Sequence, residues 1–204
     1  MYIRNYLTFL TKHHHTKPLY RGQNSNRMEN TTALHEVGHY IAWCKYYALD
    51  FGMYDYTPDG HTKPIIESLS IHQDSDSLGR MLHDGSFYDC SPEIPWKILV
   101  AGYACEFIAS GRNDMRHFLQ EVIQEQKDLE DSDAYKLVDL ICTYGDTETV
   151  LYPVFIDVVA FLQIYWDLVL DYGRLLSDSG EISGINLHTM GETIIKALDR
   201  VNDL

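Results

Sequence analysis

The segment from Thr31 to Leu49 places histidine and glutamate side chains within the clearest helical pattern of the chain. Its apolar residues recur at every third or fourth position, which predicts an amphipathic helix with Asn30 or Thr31 as its N-cap. These apolar residues are Leu34, Val37, Ile41, Cys44 and Ala48. Because such a helix has to bury one face, we expect the remaining chain to build a core around it.

His35, Glu36 and His39 form the pattern H-E-x-x-H inside this predicted helix. Residues four positions apart share one face of a helix, with β-carbons about 5–6 Å apart, so both imidazoles can bind a single zinc ion. Glu36 projects beside them and can take a proton from water whose pKa the metal lowers to about 7. The spacing therefore predicts His35 and His39 as zinc ligands and Glu36 as the catalytic base. The alternative is a chance register of three polar residues on a helix surface.

Length and composition place the chain among single globular domains. It has 204 residues, of which 45% are hydrophobic, and these are enough to bury a core. We expect a flexible arm over residues 1–27, which lacks helical periodicity, followed by a single domain over residues 28–204. The four cysteines include no C-x-x-C pair and are expected to be reduced core residues.

The charge balance restricts the classes of partner. Sixteen basic residues against thirty acidic ones leave a formal net charge of −14, which would repel nucleic acid and anionic membrane surfaces. The sequence has no uncharged stretch of about 18 residues that could span a bilayer, and its N-terminal apolar stretch is too short for a secretory signal. We therefore expect a cytoplasmic protein with no nucleic-acid or membrane partner, whose oligomeric state the sequence leaves open.

The rest of the chain predicts a small sheet followed by helices. Glycine and proline punctuate residues 50–64, which predicts a loop, and residues 65–71 and 78–82 predict two antiparallel strands. The predicted helices that follow span residues 93–110, 113–129, 132–144, 148–176 and 186–201, with a turn-rich connection over 177–184. This order of elements predicts an α+β fold that is mostly α-helical and has a small antiparallel β-sheet.

Several segments carry a family resemblance. Ala33–Ala42 reads A-L-H-E-V-G-H-Y-I-A, Ser68–Ile71 is followed by Leu78-Gly79, Val100–Glu106 reads V-A-G-Y-A-C-E, and a Ser132-Asp133 pair comes later. In this order they resemble four segments of the peptidase domain of FtsH-type ATP-dependent zinc proteases. These segments are the A-x-H-E-A-G-H-A helix, the next strand with its glycine, the L-x-G-x-A-A-E helix and the S-N-D or S-S-D motif. The sequence has no G-x-x-x-x-G-K-[ST] loop, so we expect the family's ATPase to be missing and substrates to arrive already unfolded.

The resemblance implies a zincin-like fold in which Asp133 is the third zinc ligand. Asp133 also begins a predicted helix, where the helix dipole favours an anionic ligand. Two alternatives stay open: Asp131 in the same acidic run, and Glu106, because some zinc peptidases take a glutamate from a later helix. The resemblance instead implies that Glu106 lies behind the ligands and holds a histidine or the helix pair.

The same fold analogy implies how a substrate would bind. An extended peptide would add as a strand at the edge of the sheet, beside Ser68, Leu69, Ser70 and Ile71. The sequence thus predicts a zinc metallopeptidase that acts on flexible peptides or unfolded protein segments. The alternative is a non-catalytic zinc-binding protein that acts as a protein-interaction module, although the presence of Glu36 favours the enzyme.

Overall fold

The computed structural model of the protein describes residues 25–56, 60–71, 79–83, 91, 93–126, 132–144 and 147–202. Most of the predicted flexible arm, residues 1–24, lies outside these described residues. Residues 25–27 belong to the first helix instead of the arm. The described residues are mostly helical with small antiparallel sheets, so the predicted α+β class is confirmed.

Four of the five described strands lie in the chain between the first two helices and the later helices. The helices are α1 (Ser25–Trp43), α2 (Leu49–Phe51), α3 (Glu93–Ser110), α4 (Met115–Gln126), α5 (Asp133–Tyr144), α6 (Tyr152–Ile164), α7 (Trp166–Ser179) and α8 (Gly184–Asn202). Two π-helical turns, Cys44–Ala48 and Thr147–Leu151, precede α2 and α6. The strands are β1 (Tyr54–Tyr56), β2 (Thr62–Pro64), β3 (Ile66–Ile71), β4 (Gly79–His83) and β5 (Glu181–Ser183).

The described strands form two antiparallel sheets. β1 and β2 pair as a hairpin, and the other three strands form a sheet in the order β4-β3-β5. Ser68 in the central strand pairs with Leu82 on one side and with Ser183 on the other. β5 lies between α7 and α8, in a segment predicted to be only a turn-rich connection, because three residues are too few to show a period of two.

The central position of β3 contradicts one prediction about the substrate. Ser68, Leu69, Ser70 and Ile71 all pair with β4, and the first three of them also pair with β5. The backbone N–H of Ile71 donates to the carbonyl of Gly180 at 2.9 Å. The prediction that a substrate strand adds beside these residues is therefore wrong, since their backbone groups are already paired on both sides. The outer strands of this sheet are β4 and β5.

Two stretches are more regular than the sequence indicated. α1 begins at Ser25 instead of Thr31, because residues 25–30 contain no proline or glycine that would stop a helix. Residues 50–64, predicted as a loop, contain β1 and β2. Tyr54, Tyr56 and Thr62 are residue types that favour strands, and the turn signals lie between or beside the strands in the sequence except for Pro64, which ends β2.

The predicted helix over residues 148–176 is interrupted at Tyr165, which separates α6 from α7. Tyr165 has φ −106° and ψ 21°, outside the helical region, and the helical stretches Glu148–Ile164 and Trp166–Ser179 meet at 81°. The break lets α6 pack on α3 while α7 packs on α1, which one straight helix could not do. Among the described helices none is by itself long and apolar enough to cross a membrane; only these two bent stretches together reach that length and composition.

The core is centred on α1 and α3, which pack in close contact. A β-carbon at Gly38 would lie 2.6 Å from Cys105 Sγ and 2.7 Å from the carbonyl oxygen of Ala101. Only a glycine therefore allows the two helices to approach this closely. This contact determines which face of α1 meets α3. It thereby sets the positions of His35 and His39, which lie before and after Gly38 on α1.

The prediction that the cysteines are reduced core residues is confirmed only in part. Cys44 and Cys105 are buried thiols, as expected for core residues. Cys142 is exposed on α5, so the prediction that every cysteine lies in the core is wrong. Cys90 lies outside the described residues.

We predict that Gly38→Ala lowers the free energy of unfolding by about 1–3 kcal/mol, the usual cost of overpacking. The loss arises because the added methyl group meets a backbone carbonyl that cannot turn away, and it exceeds the gain of about 1 kcal/mol that alanine brings to a helix. Urea denaturation followed by circular dichroism measures it. Gly173→Ala in α7 is the control, since its methyl group would meet no backbone carbonyl and its one close contact would be Leu34 Cδ2, the end of a flexible side chain. An equal loss in both variants would contradict the close contact of α1 with α3.

Candidate metal centre

Three helices bring the predicted site residues together. α1 carries His35, Glu36 and His39 one turn apart, and α5 begins with Asp133. α3 packs along α1 and carries Glu106. Residues separated by 94 positions in the chain thus meet in one buried space.

The nitrogen and oxygen atoms of three of these residues converge. Nε2 of His35 lies 3.1 Å and Nε2 of His39 lies 2.9 Å from the same atom, Asp133 Oδ2. All three residues are at most 2% exposed. A tetrahedral zinc ion with bonds of about 2.0–2.1 Å separates its ligand atoms by roughly 3.3–3.4 Å. Both nitrogen-to-oxygen distances are therefore a few tenths of an ångström shorter than in such a site, and His35, His39 and Asp133 could hold one metal ion.

Hydrogen bonds on the far side of each ring determine which nitrogen carries the proton. His39 Nδ1 donates to the carbonyl oxygen of Ile98 at 2.7 Å, and His35 Nδ1 donates to Glu106 Oε1 at 2.6 Å. Since carbonyl and carboxylate oxygens accept, a neutral ring in this arrangement presents a bare lone pair at Nε2. Both lone pairs face a carboxylate oxygen, which is also an acceptor. Such a contact requires a cation, either a proton or a metal ion, between the atoms.

The site concentrates negative charge. It contains the carboxylates of Glu36, Glu106 and Asp133. The ammonium nitrogen Nζ of Lys136 lies 3.5 Å from Asp133 Oδ1. Three negative charges and one positive charge leave a net charge of two negative with neutral histidines. A divalent cation would balance this charge, and buried charges require such compensation.

The pKa of His35 reflects the same excess of negative charge. Burial by itself would lower this pKa, but hydrogen bonds with Asp133 and Glu106 and the charges of Glu106 and Glu36 raise it to about 10. An imidazole proton therefore supplies part of the missing positive charge when no metal is bound. Glu36 is completely buried, and within the described part of the chain neither of its carboxylate oxygens has a hydrogen-bond partner.

A hydrogen-bond network holds the first turn of α5, and with it Asp133. Ser132 Oγ accepts from the N–H of Tyr135 at 3.0 Å and donates to the carbonyl of Gln126 at 2.8 Å, so it caps the helix. Tyr103 OH accepts from the N–H of Ala134 at 3.0 Å and donates to Gln126 Oε1 at 2.9 Å. α3 and α4 therefore both fix the position of the carboxylate on α5.

Tyr103 has a second contact with the site that sequence reasoning missed. Its ring packs edge-on against His35, with centroids 5.2 Å apart. Burial and the charges of Asp133 and Glu106 raise the pKa of Tyr103 well above its usual value of 10.0, so the phenol keeps the proton that it donates. In the sequence Tyr103 is one of several apolar residues of a buried helix, and no local pattern distinguishes it from them.

Gly102 explains why the ring of His35 can lie against α3. A β-carbon at this position would be 2.5 Å from Cδ2 and Cε1 of the imidazole. The glycine therefore makes room for the imidazole of His35 on the neighbouring helix. Here the sequence did contain a signal, because Gly102 matches the glycine of the L-x-G-x-A-A-E segment.

The structure separates the candidates for the third ligand. It brings Asp133 to the Nε2 atoms of both histidines, whereas Glu106 contacts Nδ1 of His35, on the opposite side of the ring. Glu106 thus lies behind the ligand group and holds a histidine. Asp131 lies outside the described residues.

Comparison with known proteins gives no relative from which a role could be transferred. No protein-family model matches the chain, and no curated protein matches it. The functional interpretation therefore depends on the geometry of the site.

We predict that Glu106→Gln weakens metal binding about 10- to 100-fold, the usual effect of losing a carboxylate behind a metal-bound histidine. The variant keeps the size of the side chain but removes the negative charge at His35 Nδ1, which makes Nε2 a poorer ligand. Competition against a chelator of known zinc affinity measures the change. Glu93→Gln, at an exposed carboxylate on the first turn of the same helix that pairs with Lys97 instead of a histidine, is the control and should bind zinc as the unaltered protein does. Unchanged affinity in Glu106→Gln would contradict this role.

Proposed function

We propose that the protein is a zinc-dependent metallopeptidase that hydrolyses peptide bonds in flexible peptides or unfolded protein segments. The observation that carries this proposal is the convergence of His35 Nε2, His39 Nε2 and Asp133 Oδ2 next to a buried Glu36 whose carboxylate has no described hydrogen-bond partner. The resemblance to the FtsH-type peptidase domain supports the same function.

The donor set supports zinc as the metal. Two imidazole nitrogens and one carboxylate oxygen are the mixture that zinc accepts in tetrahedral sites. Three protein ligands leave one coordination position for water or substrate, which is the arrangement of catalytic sites, whereas structural sites use four protein ligands. When bound, zinc would polarise the substrate carbonyl and lower the pKa of a water molecule.

Glu36 would move the protons of the reaction. Its carboxylate would accept a proton from the attacking water and then give that proton to the leaving amine, so that the residue ends in its original state. A carboxylate without hydrogen-bond partners is free to accept this proton. Glu106 and the carbonyl of Ile98 would keep both imidazole rings oriented throughout, because each holds an Nδ1–H on the side away from the reaction.

The sheet topology changes where a substrate strand would bind. β3 is paired on both sides, but β4 is an outer strand and packs against α1, the helix that carries Glu36. We therefore propose that an extended peptide adds beside Gly79–His83. Such pairing needs a segment free of its own secondary structure, which is why the proposed substrates are flexible or unfolded.

One observation favours a second candidate function. His35, Glu36, His39 and Asp133 are all between 0% and 2% exposed, so a peptide can reach them only after part of the protein moves. A permanently closed site would suit a non-catalytic protein that uses the metal for folding and its acidic surface to bind another protein. The two candidates differ in one measurement: a protein with one bound zinc ion and no chelator-sensitive cleavage of casein would be the binding module.

We predict that Glu36→Gln lowers the rate of peptide cleavage by about 10²- to 10⁴-fold, the range expected for loss of a general base. The amide keeps the shape of the side chain but cannot accept a proton from water. Cleavage of a fluorogenic unstructured peptide measures the rate, and zinc analysis of the same samples checks that one metal ion remains bound. Glu67→Gln, at a partly exposed carboxylate on β3, is the control and should cleave at the original rate. Undiminished cleavage by zinc-loaded Glu36→Gln would refute the proposed role.

A further inference from the structure

Lys136 is a buried cation beside the proposed ligand Asp133, and the mechanism above gives it no part. The side chain is 8% exposed, and its Nζ lies 3.5 Å from Asp133 Oδ1. Nζ is shielded from solvent and has no hydrogen-bond partner within the described residues. Lys136 follows Asp133 by three positions on α5, so the two side chains share one face of the helix.

The burial of this ammonium group needs a physical reason. Lysine usually lays its apolar stem on a protein surface and extends the charge into water, but here the charged atom itself is inside. Moving an ammonium group out of water is unfavourable unless a charge of opposite sign compensates it. Asp133 is the carboxylate at ion-pair distance in the described structure. The stability of Lys136 in this place therefore depends on Asp133.

The two oxygens of Asp133 face different partners. Oδ2 faces the Nε2 atoms of both histidines, while Oδ1 faces Lys136. We infer that Lys136 is a positioning residue that holds Oδ1 away from the metal, so that Asp133 binds the metal through one oxygen and the shell stays at four members, one of them water or substrate. This inference rests on the metal site of the proposed function but not on peptidase activity.

The electrostatics of the site explain why the lysine is needed. Without a cation at Oδ1, the attraction of a divalent ion would draw both carboxylate oxygens into its coordination shell, and carboxylates bind metals in this two-oxygen mode elsewhere. The second oxygen would then join the shell as a fifth member and crowd the position that a catalytic site keeps for water or substrate. Lys136 offers Oδ1 a competing positive charge 3.5 Å away.

Cobalt(II) substitution tests this inference without any activity assay. Four-coordinate cobalt(II) absorbs visible light several-fold more strongly than five-coordinate cobalt(II), so the band intensity reports whether the second oxygen binds. The protein is loaded with one equivalent of cobalt(II) and compared with Lys136→Met, which has a side chain of similar length without charge. We expect the unaltered protein to give the strong band and Lys136→Met to give a band several-fold weaker with one cobalt ion still bound.

Two further variants complete the test. Lys136→Arg keeps a cation and should restore the strong band, and Lys196→Met, at an exposed lysine paired with Glu192, should leave the spectrum unchanged. An equally strong band in Lys136→Met and in the unaltered protein would overturn the inference. Lys136→Gln is a second neutral variant in case the methionine variant does not fold. If both neutral variants are unfolded with and without metal, the lysine serves the fold and the inference is also overturned.

Failure of this inference is distinguishable from failure of the proposed function. If the protein binds cobalt and shows the expected spectra but cleaves no peptide, the peptidase proposal fails while the role of Lys136 stands. If the protein cleaves peptides and the band of Lys136→Met is unaltered, only the role of Lys136 fails. If the protein binds no metal, both are overturned together.

Discussion

The lone pairs of His35 Nε2 and His39 Nε2 meet those of Asp133 Oδ2 in a space from which water is excluded. Acceptor atoms can stay about 3 Å apart only when a cation lies between them. The approach of the first residue of α5 to α1 is therefore linked to the binding of that cation. A ligand that binds only the folded chain adds its binding free energy to the stability of the fold, so a bound metal ion would stabilise this arrangement of the helices.

Hydrogen bonds around the site hold its side chains in the orientation that a bound cation would need. On the α3 side, Glu106 and the carbonyl of Ile98 hold the two rings through their Nδ1 atoms. On the α5 side, Ser132 and Tyr103 hold the first helical turn through its backbone N–H groups. Ligand atoms that are already oriented lose little freedom when a metal binds, and this preorganisation raises affinity without adding contacts to the metal itself.

The parts of the site that follow from one helix were predictable, and the parts that depend on packing were not. The period of the α-helix alone places His35 and His39 on one face. No local rule connects either of them to Asp133, which was identified through a resemblance. The contact of Glu106 with His35 depends on how closely α1 and α3 approach, and Gly38 and Gly102 determine that distance.

The same distinction applies to the fold. The class was predictable because apolar spacing in most of the chain matches helices, and residues 66–71 match a strand. The break at Tyr165 was not predictable, since neither proline nor glycine causes it and the two halves simply pack on different helices. The hairpin of β1 and β2 was missed because strand-forming residues there are few and lie next to strong turn signals.

The pairing of β5 with β3 also affects how the sheet could join with other molecules. A chain shortened before Glu181 would leave the backbone donors and acceptors along one side of Ser68, Leu69 and Ser70 without partners. Exposed strand edges are the surfaces through which separate molecules join into continuous sheets. β5 thus replaces the six-residue edge of β3 with an edge of three residues, and a proteolytic cut that removed β5 would expose the longer edge and favour aggregation even though the residues of the candidate metal site stay intact.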